Sequence, residues 1–85
     1  MSKVRIYTTP FCPHCVRAKA LLAKKGITFE EIDVYTDADA RKDMQARTSG
    51  ARTVPQIFVG DRHVGGSDEL YALDKAGELD LLLGK

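Results

Sequence analysis

Cys12-Pro13-His14-Cys15 is the stretch that most limits what this chain can become. It holds both cysteines of the 85 residues, and it falls where a strand pattern turns into a helical one. Before it, Lys3 to Thr8 alternates, with Val4 and Ile6 on one side and Arg5 and Tyr7 on the other, as a β-strand does. After it, Val16-Arg17-Ala18-Lys19-Ala20-Leu21-Leu22 has helical spacing. Cys12 is therefore expected at a helix N-terminus, where unpaired N–H groups and the positive end of the helix dipole favour a thiolate over a thiol. Pro13 suits the first turn, because its missing N–H has no intrahelical partner there. In such a helix Cys15 turns toward the face of Ala18 and Leu22 while Cys12 stays at the tip. The spacing thus offers one exposed nucleophile and one sheltered partner.

A chain of 85 residues supports one modest core, so a single domain over residues 1–85 is expected. The formal charge of +1 lends no support to a nucleic-acid or membrane-surface protein, either of which needs a basic face. No apolar run approaches a membrane span, and Met1-Ser2-Lys3 leads into a strand without a secretory apolar region, so the default location is the cytoplasm. In that reducing compartment a C-x-x-C pair is more often catalytic or metal-binding than structural. Closing so short a loop also returns only ~2 kcal/mol, which makes a purely structural bridge a poor use of the pair.

Further along, the first helix ends at Lys24-Lys25-Gly26, with cations at its negative end and a glycine for the left-handed cap. A second strand covers Ile27 to Val34. Its apolar residues Phe29, Ile32 and Val34 keep no single parity, which predicts an interior strand covered on both faces. Strand, helix and strand then read as a right-handed parallel crossover. Thr36 to Asp39 offers caps for a polar second helix that ends near Arg47, with Ala40 and Met44 as its inward residues. Gln56 to Val59 and Arg62 to Val64, joined by Gly60-Asp61, predict a β-hairpin. Ser67 is the expected N-cap of a last helix in which Leu70 and Leu73 face inward. Gly77 ends that helix before a final apolar turn from Leu79 to Leu83. The order β-α-β-α-β-β-α suggests an α/β fold with a mixed four-stranded sheet flanked by helices.

Three motifs stand in this order: Cys12-Pro13-His14-Cys15 after the first strand, Thr53-Val54-Pro55 before the third, and Gly65-Gly66-Ser67-Asp68 before the last helix. Together they resemble the glutaredoxins over nearly the whole chain. The resemblance implies a thioredoxin-like fold and thiol-disulfide exchange, with glutathione as co-substrate and glutathionylated or disulfide-containing proteins as partners. It implies that Cys12 is the nucleophile and Cys15 the resolving thiol. The Pro13-His14 pair between them is similar to that of periplasmic disulfide oxidases, a resemblance of motif and not of the whole chain, and an imidazole that donates to the Cys12 thiolate or pairs with it as imidazolium is expected to tune the site toward a more oxidising potential. It further implies a cis Val54-Pro55 bond that turns the Val54 backbone toward the cysteinyl part of glutathione, with Thr53 in the same loop. Gly66, Ser67 and Asp68 would hold the γ-glutamyl end, through the helix N-terminus and the Asp68 carboxylate, and Arg52 the glycyl carboxylate. Two positions depart from the common pattern: Thr9 stands where many members have a lysine, and His14 where tyrosine is commoner.

A monomeric dithiol enzyme without a metal is the expectation. A closed zinc site takes four ligands, and beyond the two cysteines only His14 and His63 remain. A second reading is an iron–sulfur carrier, since some glutaredoxins bridge a [2Fe-2S] cluster between subunits with the first cysteine and glutathione. Pro13 makes this site stiffer than the Gly-containing monothiol type. A third reading is a binding module with inert thiols. His63 is expected as a solvated strand residue, Tyr7 and Phe11 in the core or its rim, and Arg17, Lys19, Lys24 and Lys25 on a solvated helix face. Asp33 and Asp37 have nothing beside them to make them a hydrolytic pair.

Overall fold

The computed structural model describes residues 3–84. Its elements are β1 (Val4–Thr8), α1 (Pro13–Lys24), β2 (Phe29–Asp33), α2 (Ala38–Arg47), β3 (Gln56–Val59), β4 (Arg62–Gly65), α3 (Ser67–Lys75) and α4 (Glu78–Leu82). The sheet runs β2-β1-β3-β4, with β1 parallel to β2 and antiparallel to β3, and β3 antiparallel to β4. This is the mixed four-stranded sheet that the order of strands and helices predicts.

Alternation along β1 decides how the two faces are filled. Val4 and Ile6 join Ala18, Leu22, Ile57, Val59, Leu70 and Leu79 in the core beneath α1 and α3. Tyr7 points to the opposite face, where Val34, Met44 and Phe58 close a smaller core under α2. Met44 is the one fully buried residue of α2, and Ala40 packs beside it on the same core, so this polar helix is held by the narrow apolar face that the sequence predicts. Its N-cap is Asp37, whose carboxylate accepts the N–H of Ala40 at 3.0 Å. Asp33 accepts the N–H of Tyr35 at 2.7 Å, so both acids serve local turns.

Several expectations change. β2 is an edge strand, not an interior one. Its mixed parity arises because Phe29 packs on the larger core and Ile32 on the smaller one, while Glu30, Glu31 and Asp33 stay exposed. The N-cap of α3 is Gly66, not Ser67, which is buried one position inside the helix. Glu69 takes the capping role by accepting the N–H of Gly66 at 2.7 Å. Gly65 precedes it at φ +120°, and a Cβ there would lie 2.8 Å from Glu69 Oε1, so the approach to α3 admits no side chain. The final apolar turn is the helix α4.

The helix cations are not simply solvated. Lys25 bridges Asp74 at 2.6 Å and Asp80 at 3.0 Å, tying the end of α1 to α3 and α4. Arg17 lies 4.9 Å over the Tyr71 ring. Tyr7 is fully buried as expected, whereas Phe11 is 87% exposed beside Cys12. Among the described residues, no helix is long and apolar enough to cross a membrane.

Candidate active site

α1 begins at Pro13, which leaves Cys12 as its N-cap in extended backbone. A cysteine at this position does what Ser or Asp does elsewhere: its sulfur accepts the N–H of Cys15 at 3.2 Å. The next residue of the helix, Val16, donates its N–H to the Cys12 carbonyl at 3.1 Å. Cys12 is partly exposed and Cys15 is 1% exposed, and neither is in a disulfide. Burial pushes the Cys15 thiol up to about 12, with the Cys12 sulfur adding to the shift and the Thr9 main chain and the Lys19 ammonium opposing it. Lys19, one turn beyond Cys15, is oriented by Glu31 at 2.8 Å, which also accepts the Thr8 hydroxyl at 2.9 Å. The Lys19 partner holds the Glu31 carboxyl below its usual range.

The loop before β3 faces this helix tip. Its Val54-Pro55 peptide is cis, as the resemblance implies. The Cys12 S–H donates to the Val54 carbonyl at 3.6 Å. Val54 also lines two grooves. One, of about 340 Å³, is bounded by His14, Thr53, Pro55, Gln56, His63, Gly66, Ser67 and Asp68. The other, of about 260 Å³, is bounded by Thr9, Arg41, Gln45 and Arg52. Thus Thr53, Val54, Pro55, Gly66, Ser67 and Asp68 share one groove, Arg52 lies in the other, and the Cys12 sulfur meets the residue where they join. His14 is exposed, and among the described residues it makes no hydrogen bond to Cys12. Pro13 is exposed at the first helical position.

Four groove residues escape the sequence. Arg41 and Gln45 belong to a helix whose polarity reads simply as solvent exposure, and nothing local says that it borders the loop. Gln56 and His63 belong to a hairpin whose register only the folded sheet reveals. Among the described residues no three His, Cys, Asp or Glu side chains come together to hold a metal ion.

The glutaredoxin family model matches residues 4–64, from β1 through most of β4. The chain belongs to the glutaredoxin family. It is 53% identical to glutaredoxin 3 of Escherichia coli strain K12 over 83 residues, covering 98% of this chain and 99% of the relative. The solution structure of glutaredoxin from Brucella melitensis superposes with a TM-score of 0.84 at 54% identity, covering 100% of this chain and 94% of that one. A buckwheat glutaredoxin solved as its glutathione complex superposes with a TM-score of 0.85 at 28% identity, covering 98% and 77%. The fold is accordingly thioredoxin-like, and this glutaredoxin is a thiol-disulfide oxidoreductase.

Proposed function

We propose that the protein is a glutathione-dependent oxidoreductase that reduces glutathione mixed disulfides and protein disulfides, with Cys12 as nucleophile and Cys15 as resolving thiol. The observation that carries this reading is the place of Val54, whose carbonyl meets the Cys12 sulfur and whose residue lines both grooves. A tripeptide with a thiol in its middle residue and a carboxylate at each end suits that layout.

The γ-glutamyl end occupies the larger groove. There the first-turn N–H groups of α3, which have no intrahelical acceptors, bind its carboxylate, and Asp68 binds its ammonium. The glycyl carboxylate lies in the smaller groove against the guanidinium groups of Arg52 and Arg41. Arg41 thereby supplies a cation near the position where Thr9 replaces the common lysine. The cysteinyl residue pairs with the Val54 backbone, which holds its sulfur in line with Cys12.

In the first step the Cys12 thiolate attacks the glutathionyl sulfur of a mixed disulfide. The Cys12–glutathione S–S bond forms, the old S–S bond breaks, and the substrate leaves as a thiolate that takes up a proton. A second glutathione thiolate then attacks the glutathionyl sulfur, releasing oxidised glutathione and Cys12. With a protein disulfide, Cys15 instead attacks the Cys12 sulfur, forming the Cys12–Cys15 disulfide and freeing the second substrate thiol. Engagement of Cys12 in a mixed disulfide removes a cause that raises Cys15, since a disulfide sulfur carries no charge. The Thr9 main chain and Lys19 still favour the Cys15 thiolate. Burial, the largest cause, still raises Cys15, so engagement of Cys12 eases the shift without removing it.

Reduction of a small glutathione mixed disulfide, coupled to NADPH through glutathione reductase, tests the reading. Turnover that saturates with the mixed disulfide and requires glutathione is the expected result. Turnover with other thiols but none with glutathione overturns it.

A further inference from the structure

We propose that His63 is a positioning residue for the substrate loop, acting through Gln56 to hold Thr53 and the Val54 carbonyl in register with Cys12. His63 belongs to β4 and lies beside Phe58, with rings stacked at 4.9 Å and 25° between their planes. Its Nε2 lies 2.6 Å from Gln56 Oε1. Gln56 is buried, and its amide nitrogen donates to the Thr53 carbonyl at 2.9 Å and to the Thr53 hydroxyl at 3.2 Å.

The chemistry leaves one orientation for each group. A carbonyl oxygen only accepts, so the Gln56 NH₂ must face Thr53 and its oxygen must face His63. That oxygen in turn needs a donor, so His63 carries its proton on Nε2. Neutral or cationic, the ring donates there, and the Phe58 stack keeps it aimed. Without this donor the Gln56 oxygen loses its protein partner, and the amide is no longer held with its NH₂ toward Thr53. The next residue after Thr53 carries the carbonyl that meets Cys12. His63 therefore reaches the sulfur through a continuous run: ring, amide, loop peptide, Val54.

This inference rests on the glutathione reading for its kinetic consequence, because a loop that binds substrate backbone acts on ground state and transition state alike. His63→Phe keeps the stack and removes the donor. It is expected to raise KM for a glutathione mixed disulfide about two- to tenfold, the range for one lost hydrogen bond, while kcat falls by a smaller factor. Gln56→Glu still accepts from His63 but cannot donate to Thr53, so it should act in the same direction. The double variant should be no worse than the more impaired single one.

Two measurements need no substrate. Nitrogen-15 shifts should place the neutral His63 proton on Nε2, and His63→Phe should lower the backbone order parameters of Thr53 and Val54 while those of β1 hold. If wild type fails to saturate with the glutathione substrate, the functional reading falls and these two measurements still decide the relay. A neutral His63 protonated on Nδ1 overturns it. Unchanged order parameters at Thr53 and Val54 in His63→Phe overturn it as well, as does a double variant whose KM effects simply add.

Discussion

The N–H of Cys15 donates to the sulfur of Cys12 at 3.2 Å, so the first cysteine caps the helix by accepting from the backbone of the second. One hydrogen bond thereby orients the exposed sulfur and starts the helix that buries its partner. The difference in exposure between the two cysteines follows from their helical spacing, three residues apart at the end of α1.

Their roles should separate accordingly. Cys12→Ser is expected to abolish exchange with every disulfide. Cys15→Ser should retain turnover of small glutathione mixed disulfides and lose reduction of protein disulfides. Parallel assays on both substrate types check this, and equal losses from the two variants would refute it.

Stability of the reduced protein should fall at alkaline pH because of Cys15. Burial raises the folded thiol from its ordinary 9.0 to about 12, so above pH 9 the unfolded chain releases a proton that the folded chain keeps. The contribution is fully present below pH 9 and is lost as pH climbs toward 12, by up to about 1.4 kcal/mol per pH unit. Urea unfolding of wild type and Cys15→Ala at pH 7 and pH 10.5 isolates it from other groups that titrate there. Wild type should lose more stability than the variant over that interval, and identical losses would remove Cys15 as the cause.

Asp68 and Glu69 are neighbours for which different tasks are expected. Glu69→Ala removes the acceptor for the Gly66 N–H and should cost about 1 kcal/mol of stability. Asp68→Ala should leave unfolding nearly unchanged and raise the glutathione concentration needed for half-maximal turnover several-fold. Chemical denaturation and glutathione titration of both variants check the division. An unchanged glutathione dependence for Asp68→Ala would withdraw Asp68 from the binding groove.

His14 acts at most through charge. It is exposed and makes no hydrogen bond to Cys12 among the described residues. A positive charge there would favour negative charge on the neighbouring sulfur and so the reduced protein. His14→Tyr should make the potential more negative, by no more than roughly 30 mV for 1.4 kcal/mol of lost stabilisation. Equilibration of both forms in one series of glutathione redox buffers measures it. A variant potential equal to or less negative than wild type removes the effect.

Local chemistry made much of this legible from residues alone. A strand that alternates, a proline at the first helical position and a cysteine just before it are enough to place Cys12 at a helix tip and to bury Cys15, because helix geometry acts over a few residues. The hairpin at Gly60-Asp61 and the polar character of α2 are equally local. Tertiary structure decided what depends on distant partners. β2 reads as interior from its mixed parity, yet strand order makes it an edge, and parity cannot distinguish two half-covered faces from full burial. The capping of α3 passes to Gly66 and Glu69 because the chain turns from β4 into that helix through Gly65 at φ +120° with Glu69 folded back against it, a tertiary arrangement no cap preference encodes. Arg41 and His63 reach the site from 13 and 9 positions away from Val54 in sequence, a juxtaposition set by sheet register and helix packing rather than by any sequence period.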